Sequence, residues 1–142
     1  MAYSALEVAK YVIFYEHSKG REISNLRLQK LLYFIQAKFY STTGKPCFSD
    51  EMEAWEFGPV VASVYHAFKI FGSFDINITP VIINIDTESK LLINNILDSC
   101  ADYPTYQLVE ISHKQAPWLQ ARNNYFNKII SSDSMRLFFF KP

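Results

Sequence analysis

His113 is the side chain here that could most readily do chemistry, and it stands in Ser112-His113-Lys114-Gln115-Ala116-Pro117-Trp118. An imidazole titrates near neutrality, so it serves as a base where a nucleophile or an orienting carboxylate lies within hydrogen-bond reach. Asp102 and Glu110 are close in sequence, but no segment resembles a nucleophile elbow. With 4 Gly in all there is no glycine-rich phosphate loop, and neither HExxH nor paired Asp/Glu spacing offers a metal site. Cys47 and Cys100 are isolated, without CxxC spacing, which argues against a zinc site or a disulfide framework. His113 is therefore expected to be structural, with a ring nitrogen bonding a backbone group near Trp118. No catalytic residue, cofactor or metal is expected.

The other polar residues of interest lie on one helical stretch, residues 24–42. Leu28, Leu31, Leu32, Ile35 and Phe39 fall on one side of a helical wheel, and Leu26, Tyr33, Ala37 and Tyr40 fall roughly opposite. A helix apolar on two sides is packed from two sides, which places it at the centre of the fold. Gln29 and Gln36 lie between the stripes, two turns apart. Once buried, their amides need partners, and neighbouring backbone is the expected one. Lys30, beside Tyr33, either faces a partner or snorkels from a partly buried position. Ser24 is the expected N-cap and Gly44 the left-handed stop.

Other elements must hold this helix. Ser4 and Glu7 form a capping box for a first helix at residues 5–18, packed beside the central one. His17 at its end reads as a solvated cation. Trp55 and Phe57 alternate with Ala54 and Glu56, a short strand whose aromatic side fills the core. Gly58-Pro59 then turns that strand into a helix carrying Val60, Val61, Val64, Tyr65, Phe68 and Phe71 on one face and ending at Gly72. Val81, Ile83 and Ile85 suggest a second strand pairing with the first, either at an edge or starting after Pro80, which cannot donate to a ladder. Thr87 caps a helix at residues 88–101, with Cys100 as a small core residue, and Thr105 caps a short one to Ile111. Pro117 starts another turn anchored by Trp118, and a last helix spans residues 135–140 after Ser132-Asp133-Ser134. The fold class is mainly α (α+β), a helical domain around a central buried helix with a small two- or three-stranded antiparallel sheet.

The chain has 142 residues, suited to a single domain over 1–142. Lys plus Arg equals Asp plus Glu at 14 each, so the basic excess of a generic nucleic-acid or acidic-membrane binder is missing. Arg21, Arg27, Lys30 and Lys38 are close together, and two helices joined by a short turn suggest a helix-turn-helix. A second helix apolar on two sides has little surface free to enter a groove, so nucleic acid is the minority partner. No apolar stretch spans a bilayer and no basic segment precedes an apolar run, so a cytoplasmic protein is expected, with no membrane partner. Aromatics at 16% imply a thick core or a partner surface, with Phe34, Phe71, Phe74, Phe138, Phe139 and Phe140 the places to look.

Three segments occur in order: LRLQKLLYF, EAWEFGPVVASVYHAF and SHKQAPW. Together they resemble the Panacea domain family, whose members include SocA-like antitoxins and phage-associated GepA-type proteins. The positions that carry the likeness are Leu28, Gln29, Lys30, Leu31 and Tyr33; Ala54, Trp55, Gly58, Pro59, Val60, Val64 and Tyr65; and His113, Pro117 and Trp118. The Ile-rich stretch around residues 77–85 follows no family pattern. The resemblance implies a mostly helical, non-enzymatic antitoxin that neutralises a cognate toxin, encoded beside it, by direct protein binding. One branch acts as a proteolytic adaptor, handing the toxin to an ATP-dependent protease. The alternative is a nucleic-acid-binding regulator of its own operon or a phage-associated regulatory protein.

Overall fold

A computed structural model of the chain describes residues 2–142. Helix α1 (Ala5–Ser18) carries the expected capping box, with Ser4 accepting from the Glu7 amide and Glu7 from the Ser4 amide. Helix α2 (Asn25–Thr43) is capped by the Ser24 hydroxyl and stopped by Gly44 in the left-handed region. It packs against α1, α3 (Ala62–Phe68), α4 (Thr87–Cys100), α5 (Thr105–His113), α7 (Ser132–Phe139) and strand β2 (Gly58–Val60). Both stripes are covered: Leu28, Leu31, Leu32, Tyr33 and Ile35 have no exposed surface, and Leu26 alone of the apolar positions named above is exposed. The doubly apolar helix is thus the structural axis.

A three-stranded antiparallel sheet packs on this axis through β2, in the order β2–β1–β3, with β1 at Met52–Trp55 and β3 at Ile129–Ile130. Two expectations are corrected here. Trp55 pairs with Gly58, so Glu56 and Phe57 form a hairpin turn and Gly58-Pro59-Val60 is the returning strand. Pro59 is tolerated because β2 is an edge strand. The helix after it starts only at Ala62, and Phe57 is exposed rather than core. The third strand is residues 129–130 and not the Val81–Ile85 stretch, which forms neither helix nor strand. That segment is tied elsewhere. Asp75 accepts from the Ile23 amide at 2.7 Å, Ile76 donates to the Ile23 carbonyl at 2.9 Å, and Asp86 binds the Tyr3 hydroxyl. These anchors hold it to the α1–α2 side while Ile76 and Ile85 fill the core and Ile82 stays in solvent.

Two smaller corrections share one cause: a short polar side chain one residue earlier takes the cap. Asp86 caps α4 in place of Thr87, and Ser131 caps α7. Pro104, with no side-chain bond, precedes Thr105, which is already helical in α5. Helix α6 (Ala116–Arg122) begins as expected around Pro117, with Trp118 buried. His17 is not simply solvated, because its Nε2 lies 3.0 Å from Asp75 Oδ1. The three C-terminal phenylalanines do diverge. Phe139 meets the Tyr33 ring edge-on at 6.1 Å, Phe140 lies over Gly44, and Phe138 turns to solvent.

Candidate functional site

The residues singled out in sequence converge where α2 passes beneath the hairpin. Gln29, Lys30, Tyr33 and Gln36 project from α2, and all four are buried. Gln36 holds the chain after Gly44: its Oε1 accepts from the Cys47 and Phe48 amides at 2.8 and 3.2 Å, and its Nε2 donates to Phe48 O at 2.8 Å. Gln29 Oε1 accepts from the Val61 amide at 2.9 Å, fixing the exit from β2. Its Nε2 donates to Asn25 Oδ1, and Asn25 Nδ2 donates to Tyr65 O, each at 3.0 Å. This relay ties α2 to α3 through backbone groups that would otherwise be buried without partners. Asn25 had escaped the sequence reading. Its signal is its spacing, four residues before Gln29 and so on the same helix face.

Lys30 neither faces a partner nor snorkels. It is wholly buried and its Nζ donates to the Pro59 carbonyl. Among the described residues no carboxylate comes within ion-pair distance of it. Desolvation alone pulls its pKa from 10.5 down to about 7. Gly58 makes room for it: a Cβ there would stand 2.8 Å from Lys30 Nζ and 2.9 Å from Ser112 Oγ, and φ at Gly58 is +109°. Only glycine combines that clearance with that backbone conformation. Ser112 is also fully buried and its hydroxyl donates to Val109 O at 2.7 Å. A partly neutral amine beside a serine hydroxyl is the raw material of a nucleophile–base pair. In this conformation both are sealed from solvent, so no substrate atom reaches them.

Aromatic side chains pack around the hairpin. Trp118 donates its indole proton to Trp55 O at 2.9 Å, and Arg122 donates to Ala54 O at 3.2 Å, so α6 reads the backbone of β1. Trp55, half-buried rather than core, meets Tyr65 edge-on at 5.0 Å. His113 stacks on Trp118 with ring centroids 4.1 Å apart. The expected ring-to-backbone bond is not made: His113 Nε2 is buried without a partner. Tyr33 donates its hydroxyl to Gln115 Oε1 at 2.5 Å, and burial raises its pKa. Pro117 and Val60 are buried packing residues. Gln29, Lys30, Tyr33, Trp55, Gly58, Pro59, Val60, Tyr65, His113, Pro117 and Trp118 thus belong to one neighbourhood around the hairpin.

Other chemistry is disfavoured by environment. Burial pushes the Cys47 thiol up to about 12 and Cys100 to about 11, far from a reactive thiolate. Three of the four cations grouped in the sequence are engaged internally, Lys38 being the exception. Arg21 pairs with Glu16 and, at 3.1 Å, with Asp98. Arg27 donates to the Cys100 and Tyr103 carbonyls at 2.8 and 2.9 Å, and Lys30 is buried. These cations are not available to phosphates. Among the described residues no helix is long and apolar enough to cross a membrane, and no group of acidic, His and Cys side chains is arranged to hold a metal.

Comparison with known proteins points the same way as the ordered motifs. Residues 28–119 match the family model described as Antitoxin SocA-like, Panacea domain. That span opens on the first α2 residue with no exposed surface and closes just after Trp118 in α6, so it encloses the whole hairpin neighbourhood. Over 50 residues, 35% of the chain, it is 50% identical to Antitoxin SocA of Caulobacter vibrioides (strain NA1000 / CB15N). The aligned stretch covers 27% of that relative's length. No solved structure matches the chain.

Proposed function

This chain belongs to the SocA-like antitoxin family with the Panacea domain, and from that premise we propose that it neutralises a toxin by binding it directly, as a single cytoplasmic domain. The observation that carries the reading is the family match across residues 28–119. The interior supports it in a physical sense. The polar groups that could have formed a reaction centre are engaged in tying α2, the hairpin and α5–α6 together. Among the side chains facing solvent are Phe57, Phe74, Tyr125, Phe126 and Leu137, the material of a polypeptide contact. The toxin is expected to be the product of the adjacent reading frame.

The test is co-expression. The adjacent frame is expressed alone and together with this chain, and growth is followed. Growth arrest alone and rescue in the pair support the proposal. A harmless neighbour, or arrest that persists with this chain present, overturns it. Delivery to an ATP-dependent protease is the finer mechanism. In a host lacking such proteases, rescue by occlusion persists and rescue by degradation is lost. A gel shift at moderate salt tests the nucleic-acid alternative, whose affinity falls steeply with added salt.

A further inference from the structure

Between its two tethers the 75–86 connection is a strap laid along α1. Asp75 meets His17 at the C-terminal end of α1, and Asp86 binds the Tyr3 hydroxyl just before its N-terminal end. Ile76, Ile83 and Ile85 pack inward, while Val81 is half exposed and Ile82 lies wholly in solvent. The backbone sets this strap apart. From residue 77 to residue 84 no amide donates a hydrogen bond among the described residues, and of the carbonyls only that of Ile83 accepts one, from the Ile85 amide at 3.1 Å. Every backbone donor and acceptor seeks a partner, and a run of open ones is a template for pairing with another chain. Val81-Ile82-Ile83 is β-branched throughout, the side-chain type that suits a strand. The strap therefore carries strand-forming residues that have no strand to pair with.

The surface beside it is apolar and cationic. Two grooves between α1 and the strap share Phe14, Pro80 and Val81. The larger, about 300 Å³, takes side chains of a bound segment but stands at the lower limit for a small-molecule site. The charged residues that line the two are Lys10, His17 and Lys90, and no carboxylate lines either. His17 is engaged by Asp75. Lys10 and Lys90 make no side-chain hydrogen bond or ion pair among the described residues, and Lys90 Nζ rests over the Tyr11 ring at 5.9 Å. The carboxylates nearest to them in helical spacing serve helix caps instead: Glu7 accepts from the Ser4 amide and Asp86 from the Ser89 amide. Two unpaired ammonium groups beside apolar walls call for an occupant that brings both carboxylates and apolar side chains.

We infer that residues 81–84 are a strand-addition site, on which an extended segment of the partner polypeptide pairs with the open backbone, sets its apolar side chains beside Phe14 and brings carboxylates to Lys10 and Lys90. This rests on the antitoxin reading and gives it a contact surface. In such contacts main-chain bonds supply affinity and side-chain grooves supply choice. The open amides and carbonyls ask for another polypeptide backbone, which neither a lipid nor a phosphate chain carries. A second copy fits badly, because pairing the same segments about a two-fold axis sets the lysines of one copy against those of the other.

The experiment uses the full chain and the product of the adjacent reading frame. Amide exchange followed by NMR, with and without that product, is expected to slow at least about tenfold at alternate amides of residues 81–84, since an added strand bonds every second residue. Val81→Pro and Ile82→Pro each remove one amide of opposite parity, so one of the two is expected to weaken binding at least about tenfold in calorimetry, as is the double charge reversal Lys10→Glu with Lys90→Glu. L137D, at an exposed apolar position on α7, is expected to bind as the wild type does, and an equal loss there overturns the assignment. Thermal melts separate lost binding from lost folding; where a proline variant melts early, exchange in the wild type and affinity of the lysine variant decide. Binding that leaves 81–84 unprotected, or that is unchanged in the lysine variant, overturns this site and leaves the antitoxin reading standing. A wild-type dimer in sedimentation that Ile82→Pro dissolves makes a second copy the occupant and overturns it as well. Wild-type chain that binds nothing fells both readings together.

Discussion

Replacing Lys30 with Met is expected to stabilise the fold, by an amount that depends on pH. Nζ is buried, with the Pro59 carbonyl as its one hydrogen-bond partner among the described residues. Burial lowers its pKa from 10.5 to about 7. Below the folded pKa both states carry the proton, and the fold bears the full cost of a buried charge. Between the folded and unfolded values the unfolded chain keeps a proton that the folded chain has lost, so stability rises with pH across that window. The displacement corresponds to about 5 kcal/mol at acid pH, of which about 2 kcal/mol is relieved between about pH 7 and about pH 9. Methionine has similar reach and no charge, but it leaves the Pro59 carbonyl unpaired at a cost of about 1–3 kcal/mol. The net gain is then about 2–4 kcal/mol near pH 6, shrinking to about zero near pH 9. Urea unfolding of both proteins across this range measures it, and their difference cancels every other titrating group. A difference that stays flat with pH, or a variant less stable throughout, refutes the buried-ammonium argument.

Two further substitutions probe the same neighbourhood. Gly58→Ala sets a methyl group against Lys30 Nζ and Ser112 Oγ at a backbone conformation that alanine avoids; a loss of about 2–4 kcal/mol in urea unfolding is expected, and an unchanged midpoint would contradict that packing. His113→Phe keeps the stack on Trp118 and removes the unpartnered Nε2, so thermal unfolding should show stability unchanged or raised by up to about 2 kcal/mol, whereas a clear loss would mean that the ring nitrogen is bonded after all.

The helical frame was legible because it rests on local signals. Ser4 with Glu7, Ser24, Gly44 and Gly72 mark helix ends through side-chain or backbone geometry that needs no tertiary partner. The two stripes of α2 announced a helix covered on two sides, and the glutamines between them did find backbone. The hairpin was misread because Gly58-Pro59 has two physical meanings. The same pair suits a helix start and an edge strand, and only the partner strand decides between them. Residues 81–85 failed for a related reason. Alternation prescribes a strand only where a free edge meets it, and the Asp75 and Asp86 tethers hold this segment away from the sheet. Lys30 could not be placed at all from spacing, since its burial depends on the clearance that Gly58 provides from the far side of the hairpin.

That dependence bears on how one scaffold could serve recognition. Lys30, Gly58 and Ser112 constrain one another through contacts that solvent does not reach, so a change at any of them is felt first as a change in folding. Leu137, Phe138 and Lys141 sit on the surface, where substitution leaves the α2 axis and the hairpin intact. Trp118 and Arg122 hold α6 to β1, and Phe139 on Tyr33 holds α7 to α2, so this face keeps its place while its exposed side chains vary. In this arrangement the most recognisable residues in the chain set the frame, and the exposed side chains around it are the ones free to change.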